Sequence, residues 1–308
     1  PLQRMSIQVQ SITKLYGPQK ALDDVTFTVD PGQVVGFLGP NGAGKSTMMK
    51  IISCFIPQSS GSVSVDGFDV REQPLEVRRR VGYLPEHNPL YLDMYVKEFL
   101  RYVGGIQLGL RDAGKRVDKM IEITGLGPEQ HKKIGALSKG YRQRVGLAQS
   151  MIHDPGVLIL DEPTTGLDPN QLVEIRQLIR NIGREKTVIL STHIMQEVEA
   201  ICNRVIIINK GKIVANEATG VLRQQSTEGN VVLVEFDKDV AQDALKRIPG
   251  VVQAKRTQGN TWLIEGEEGK DIRQELFRFA VDKGLSVITL QKQESNLESV
   301  FRQLTVNK

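Results

Sequence analysis

Apolar and polar residues alternate with period two over residues 7–16 (Ile7, Val9) and 25–29 (Val25, Phe27, Val29), the spacing of strands with one buried face. The first segment ends in Tyr16-Gly17-Pro18, a turn signal, so the pattern predicts an antiparallel pair. The run over residues 34–38 does not alternate, and residues 157–160, 188–190 and 205–208 share that character. Short unbroken apolar runs predict strands buried on both faces, as in a parallel sheet. Met48, Met49, Ile51, Ile52 and Phe55 are expected to turn toward a core from a helix, and residues 61–67 alternate between turn residues as a short strand. From about Tyr95 to Leu126 the period lengthens to that of helices (Val96, Phe99, Leu100, Val103; Val117, Met120, Ile121). Glycines at 104, 105, 109 and 114 are expected to break that stretch, which predicts a small helical subdomain over about residues 87–155.

The polar turn from Gln224 to Gly229 divides the pattern into residues 1–225 and 226–308. Beyond it the periodicity predicts strand 231–236, helix 239–247, strands 251–256 and 261–265, helix 271–283, strand 285–290 and a last helix 296–304. The first six spell βαββαβ, the order of the ferredoxin-like split βαβ, here a small accessory α+β domain. The chain shows no internal repeat and no low-complexity tract.

Bulk composition changes this picture little. A chain of 308 residues, 40% hydrophobic and 25% charged, is ordinary globular material for two domains. The net charge of +4 comes from 40 basic and 36 acidic residues, interspersed rather than blocked, and no nucleic-acid partner is expected. No apolar run approaches the roughly 18 residues that span a bilayer, and the first residues lack an apolar leader; a soluble, cytoplasmic chain is expected. Cys54 and Cys202 sit in apolar stretches without C-x-x-C spacing and are expected to be buried free thiols.

The candidate chemistry lies at the ends of the apolar runs. Gly39-Pro40-Asn41-Gly42-Ala43-Gly44-Lys45-Ser46-Thr47 follows residues 34–38 at once and fits G-x-x-x-x-G-K-[ST]. In a strand, glycine-rich turn and helix start, the backbone N–H groups converge on an anion and the helix dipole favours it. Gly39, Asn41, Gly42 and Gly44 form this cradle. Lys45 adds charge for the β- and γ-phosphates, Ser46 places a hydroxyl where Mg²⁺ would sit, and Thr47 is a second donor. Residues 157–160 end in Asp161-Glu162-Pro163. Alternation sends the two carboxylates to different places, one for the Mg²⁺ shell and one for an attacking water. Pro163 predicts extended backbone at Glu162.

A third signal is the segment from Leu137 to Arg144, where Ser138 is a good N-cap and the following N–H groups make a second anion site. One nucleotide does not need two such cradles. The second is expected to serve a nucleotide held by another copy of the chain, so a dimer is expected. His193 ends an apolar strand where a side chain reaches the γ-phosphate, whereas His87, His131 and His153 read as ordinary. Asp168 precedes Pro169 in a turn.

In this order the motifs resemble those of ABC transporter ATPases over roughly residues 3–225. The resemblance implies an α/β P-loop NTPase cassette with a mixed-sheet core, an antiparallel β subdomain and a helical subdomain, using ATP and Mg²⁺. It implies that Tyr16 stacks on adenine and that residues 137–143, with Ser138 and Gly140, form the signature loop. Asp161 corresponds to the Walker B acid, Glu162 to the catalytic glutamate, Asp168 to the D-loop acid and His193 to the switch histidine. The implied catalytic set is Glu162, His193 and Lys45; the implied metal set is Ser46, Asp161 and Glu86. Glu86 stands in the segment 81–86, where the family carries a glutamine, and reads either as a metal ligand or as a solvated or permease-facing acid. Lys139 and Tyr141 also depart from the signature pattern.

The resemblance further implies a head-to-tail homodimer coupled to separate transmembrane permease subunits on the inner face of the cell membrane. The tail, from Val221 to Thr305, resembles the C-terminal extension of ATPases serving ABC-2-type exporters, and among them those associated with gliding motility. Regulation and dimer contacts are two roles for that extension. A soluble ABC-type ATPase acting on ribosomes or DNA is the main alternative, but such proteins carry a second cassette or a long coiled-coil insertion. A P-loop kinase is another, and it would not need the Ser138 loop.

Overall fold

Ile7, Val9 and Ile12 point to the same interior as Val25, Phe27 and Val29, and this shared face pairs β1 (Ile7–Tyr16) with β2 (Gln19–Val29) antiparallel. In the computed structural model, which describes residues 6–221, 230–267 and 270–292, the hairpin is completed into a sheet by β4 (Ser60–Val65) and β5 (Phe68–Asp69) in the order β2-β1-β4-β5. A second sheet runs β10 (Lys212–Ala218), β9 (Arg204–Asn209), β3 (Val34–Leu38), β8 (Thr187–Thr192), β7 (Val157–Asp161), β6 (Val81–Leu84). It is parallel except for the edge strand β10. Every residue of β3, β7 and β8 is buried, as an unbroken apolar run requires of a strand covered on both faces.

Helices cover the sheet. They are α1 (Lys45–Ile52), α2 (Pro74–Arg80), α5 (Lys139–Met151), α6 (Pro169–Ile182) and α7 (Met195–Ile201). Met48, Met49, Ile51 and Ile52 of α1 share one core with Ile7, Val9 and Phe27 of the hairpin and Val35 and Phe37 of β3. Burial of such side chains contributes about 1.5–3 kcal/mol each, which holds α1, and therefore Lys45 at its start, at the end of β3. Phe55 does not join this core. The helix stops at Ile52, Cys54 turns the chain at φ 59°, and Phe55 stands 68% exposed with its ring edge-on to Tyr83, 5.4 Å between centroids. Cys54 is half-buried, while Cys202 is buried as expected; burial raises the pKa of both thiols, which keeps them unreactive.

Between β6 and α5 lie α3 (Val96–Leu108) and α4 (Leu110–Ile123). Only Gly109 separates them. Gly104, Gly105 and Gly114 are inside helices rather than at breaks. Gly104 is buried where the two helices cross, since an added side-chain carbon would come within 3.3 Å of Ala113 Cβ. The pattern had not singled out α2, α6, α7 or β10.

The chain divides into two compact units, the first reaching Thr219 and the second starting at Gly220. The boundary predicted between 225 and 226 and the helix predicted at 296–304 lie outside the described residues. The second unit contains β11 (Asn230–Phe236), α8 (Gln242–Lys246), β12 (Val251–Gln258), β13 (Thr261–Gly266), α9 (Arg273–Asp282) and β14 (Val287–Lys292). Its sheet runs β12-β13-β11-β14, all antiparallel, the topology of the split βαβ. Val232, Val234, Phe236, Trp262 and Ile264 from the sheet meet Leu245, Leu276 and Ala280 from the helices in a core of its own. Among the described residues no helix is long and apolar enough to cross a membrane.

Candidate active site

Parallel pairing brings four strand ends to one edge. Leu38 is level with Thr192, Asp161 with Ser191 and Leu84 with Leu160. The glycine-rich loop, Glu162, His193 and Glu86 therefore all follow strands ending on the same side of the sheet. A crevice beyond the carboxyl ends of such strands is where α/β proteins hold ligands.

The loop from Gly39 to Gly44 has room for nothing but glycine at its ends. A side-chain carbon at Gly39 would lie 2.4 Å from the Ile208 carbonyl oxygen; at Gly44, where φ is +108°, it would lie 2.5 Å from that of Ala21. Asn41 and Gly42 are exposed at the tip, and Ser46 and Thr47 are half-buried in the first turn of α1. Lys45 is only 6% exposed. Its ammonium donates to the carbonyls of Gly39 at 2.8 Å and Pro40 at 3.3 Å and lies 3.5 Å from Glu162 Oε1. Ser46 Oγ donates to Asp161 Oδ1 at 3.0 Å. The pair is a hydroxyl and a carboxylate of the hard-oxygen kind that magnesium accepts.

Asp161 and Glu162 part as alternation predicts. Asp161, 2% exposed, accepts from Ser46 and Ser191. Glu162, 6% exposed, faces Lys45 and His193, whose Nδ1 lies 3.0 and 3.1 Å from the two carboxylate oxygens. Thr165 Oγ1 donates to Oε2 at 3.2 Å. The backbone at Glu162 is not extended as Pro163 had suggested; φ is +50°, a conformation that costs a non-glycine residue about 1–3 kcal/mol. Neighbours hold it there, since the Glu162 N–H donates to the Ser191 carbonyl at 3.1 Å and approaches Ser191 Oγ at 3.2 Å. At the margin Tyr83 keeps its proton, because burial, and then the charges of Asp161 and Glu86, raise the phenol's pKa. Its hydroxyl has no hydrogen-bond partner among the described residues.

A second cluster gathers around Gln171. Ser138 caps α5, accepting from the Tyr141 N–H at 3.3 Å, and also accepts from Gln171 Nε2 at 3.4 Å. Asp168 caps α6, accepting from the Gln171 N–H at 2.9 Å. Gly140 is buried beneath the Gln171 side chain, and the Lys139 amine lies beside Gly166. No hydrogen bond among the described residues joins Ser138, Gly140 or Asp168 to Lys45, Ser46, Asp161 or Glu162. Tyr16, 50% exposed, stands apart with Lys14 Nζ 5.2 Å from its ring centroid, and Glu86 is exposed. The sequence had given no role to Ser191, Thr164, Thr192, Gln171 or Glu197. Thr164 and Thr192 both donate to Glu197 of α7. The available signal was an acid at 197 sharing a helix face with Val198 and Ile201.

A family model described as "ABC transporter" matches residues 22–165, and a model described as "AAA domain, putative AbiEii toxin, Type IV TA system" matches residues 133–199. The chain is 41% identical over 198 residues to the ABC transporter ATP-binding protein NatA of Bacillus subtilis (strain 168), covering 63% of this chain and 80% of that protein. It is 32% identical over 315 residues to the bacitracin transport ATP-binding protein BcrA of Bacillus licheniformis, covering 97% and 96%. It is 33% identical over 306 residues to the Nod factor export ATP-binding protein I of Burkholderia thailandensis (strain E264), covering 97% and 96%. A solved ATP-binding subunit of an ABC transporter superposes with a TM-score of 0.64 at 29% identity, over 71% of this chain and 92% of that one. The dimeric post-hydrolysis state of the cassette MJ0796 bound to ADP and Pi superposes at 0.63 and 25%, over 69% and 98%.

Proposed function

Because the chain belongs to the ATP-binding subunits of ABC transporters and is an ATPase, we propose that it drives an ABC-2-type exporter. In this reading two identical subunits close head to tail on ATP and pass that closure to separate transmembrane permease subunits, which hold them at the inner face of the cell membrane. The observation that carries the hydrolytic part of the proposal is the meeting of Lys45, Ser46, Asp161, Glu162 and His193 at one edge of the parallel sheet.

The glycine loop, with Asn41, Gly42 and Thr47, wraps the phosphates, and Lys45 exchanges its contacts with Gly39, Pro40 and Glu162 for the β- and γ-phosphates. Ser46 and Asp161 would hold Mg²⁺, with Glu86 as a further candidate oxygen ligand, and the ion would neutralise charge on the phosphate oxygens. Glu162 accepts a proton from the attacking water, and His193, already seated on that carboxylate, faces the γ-phosphate side. Tyr16 offers an exposed ring to the adenine. From the opposing copy, Ser138 and Gly140 bring the N–H groups at the start of α5, and Asp168 borders the same interface. ATP then favours the closed dimer because only that form makes both sets of contacts. Export is supported by the relative named for Nod factor export, and transport by the one named for bacitracin transport; both align over 97% of this chain. The tail's resemblance to gliding-motility ATPases makes that machinery the first system to which we assign it.

Glu162→Gln tests the reading. Loss of a positioned proton acceptor costs about 10²- to 10⁴-fold in turnover, so the variant is expected to bind ATP normally, hydrolyse it slower by that factor and accumulate as an ATP-bound dimer. Unchanged turnover would remove Glu162 as the base.

A further inference from the structure

We infer that Glu197 is a positioning residue for hydrolysis, a buried carboxylate that ties together the segments following β7 and β8 and so sets the spacing of Glu162 and His193. The inference rests on the roles proposed above for those two residues. Glu197 lies within the first turn of α7 with 0% of its surface exposed. One of its oxygens accepts the hydroxyl of Thr164, two residues beyond Glu162, and the other accepts that of Thr192, immediately before His193, at 2.6 Å. Both threonines are themselves buried, at 2% and 0% exposure. The Thr192 hydroxyl also accepts from the Ile194 N–H at 3.0 Å, so the backbone on either side of His193 is fixed to the same carboxylate.

A buried carboxylate is costly unless it is well hydrogen-bonded, and among the described residues none forms an ion pair with Glu197. Its neighbours on the buried side of α7 are Met195, Val198 and Ile201, and an apolar side chain there would complete the core without that cost. What the acid adds is a link between two particular strand ends. On the sheet side the pair is already framed by Ser191, which accepts the Glu162 N–H at its carbonyl and donates to Asp161. Glu197 closes the frame from the helix side. It thereby helps to hold Glu162 at φ +50° and its oxygens 3.0–3.1 Å from His193 Nδ1. Catalytic geometry is sensitive to such support, because a displacement of about 1 Å costs on the order of 10²-fold in rate.

The test is steady-state ATPase activity of Glu197→Gln, Thr192→Val and Thr192→Ser in the full chain, alongside affinity for a nonhydrolysable ATP analogue and the thermal midpoint. Glu197→Gln keeps the shape but replaces one acceptor oxygen by a donor. It is expected to lower kcat by roughly ten- to hundred-fold, as loss of supporting contacts commonly does, with KM and analogue affinity changed less than about two-fold. Thr192→Val should behave likewise, whereas Thr192→Ser, which keeps the hydroxyl, should retain kcat within about two-fold. A lower melting temperature with kcat per folded molecule unchanged would reduce Glu197 to a purely architectural role and overturn the inference. If Glu162→Gln itself leaves turnover intact, the underlying assignment fails instead, so the two failures are distinguishable.

Discussion

His153 is a residue whose charge is set by burial. Its Nε2 lies 3.1 Å from the Val81 carbonyl at the start of β6, and its Nδ1 is buried with no partner among the described residues. Desolvation is the main cause that lowers its pKa below the ordinary histidine value; Arg116 and Lys186 push the same way, while the Val81 bond and Asp154 oppose them. The unfolded chain, with a histidine pKa of about 6.5, takes up the proton first as pH falls. Folding stability contributed by the neutral ring is therefore present above about pH 6.5 and is lost below it, down to the lower folded pKa. Urea midpoints measured between pH 7.5 and 5.5 should fall, and fall less steeply in His153→Gln, whose amide retains an N–H for Val81. Equal slopes in the two proteins would show that the ring titrates freely in the fold. The Glu162 and His193 pair makes the contrary case, a contact held together by neighbours where sequence alone showed only two motif residues 31 positions apart.

Helix α6 shows how an element depends on its first residue. Asp168 accepts the Gln171 N–H, and Pro169 occupies the first helical position, where its missing N–H costs nothing. Replacing an N-cap acid by alanine costs about 0.5–2 kcal/mol, while serine caps almost as well as aspartate. Asp168→Ala should therefore lower urea-derived stability by about 1 kcal/mol and Asp168→Ser by only a few tenths; equal losses would place the effect in the charge rather than the cap. Strands β3, β7 and β8 were legible because burial on both faces leaves an unbroken apolar run. In α6 the buried Ile175, Leu178, Ile179 and Ile182 follow the i, i+3, i+4, i+7 spacing of an amphipathic helix, so this element too was legible in the sequence. Edge strand β10 is only half-buried and α7 has seven residues, so neither repeats a period long enough to stand out. At the site, Lys45, Ser46, Asp161 and Glu162 could be read because loop chemistry constrains residue type at fixed spacing. Ser191, Thr164, Thr192 and Glu197 could not, because a supporting hydrogen bond is defined by three-dimensional approach and serines and threonines occur everywhere.

At the scale of the whole molecule α1 and α5, whose starts are proposed to face phosphate, lie in different packing neighbourhoods. Helix α1 packs against β2, β4, β7 and β8, whereas α5 packs against α3, α4, α6 and β6. If each nucleotide is shared between the Gly39 loop of one copy and the Ser138 loop of another, a symmetric pair contains two composite sites, each drawing on both chains. That geometry makes complementation the decisive measurement. Lys45→Ala removes the loop's charge. Ser138→Asp keeps a good N-cap on α5 but sets a negative charge against the phosphate. Neither protein should dimerise on Mg²⁺ and a nonhydrolysable ATP analogue by itself, because both of its sites carry the same defect. When the two are mixed, a hybrid pair concentrates both defects in one site and leaves the other intact. Sedimentation should then show nucleotide-dependent dimers in the mixture alone. Because only hybrid pairs form and each has one intact site of two, an equimolar mixture should reach at most about half of the wild-type number of sites. A site built within a single chain gives no recovery on mixing, since each protein would keep its own lesion whatever its neighbour carries.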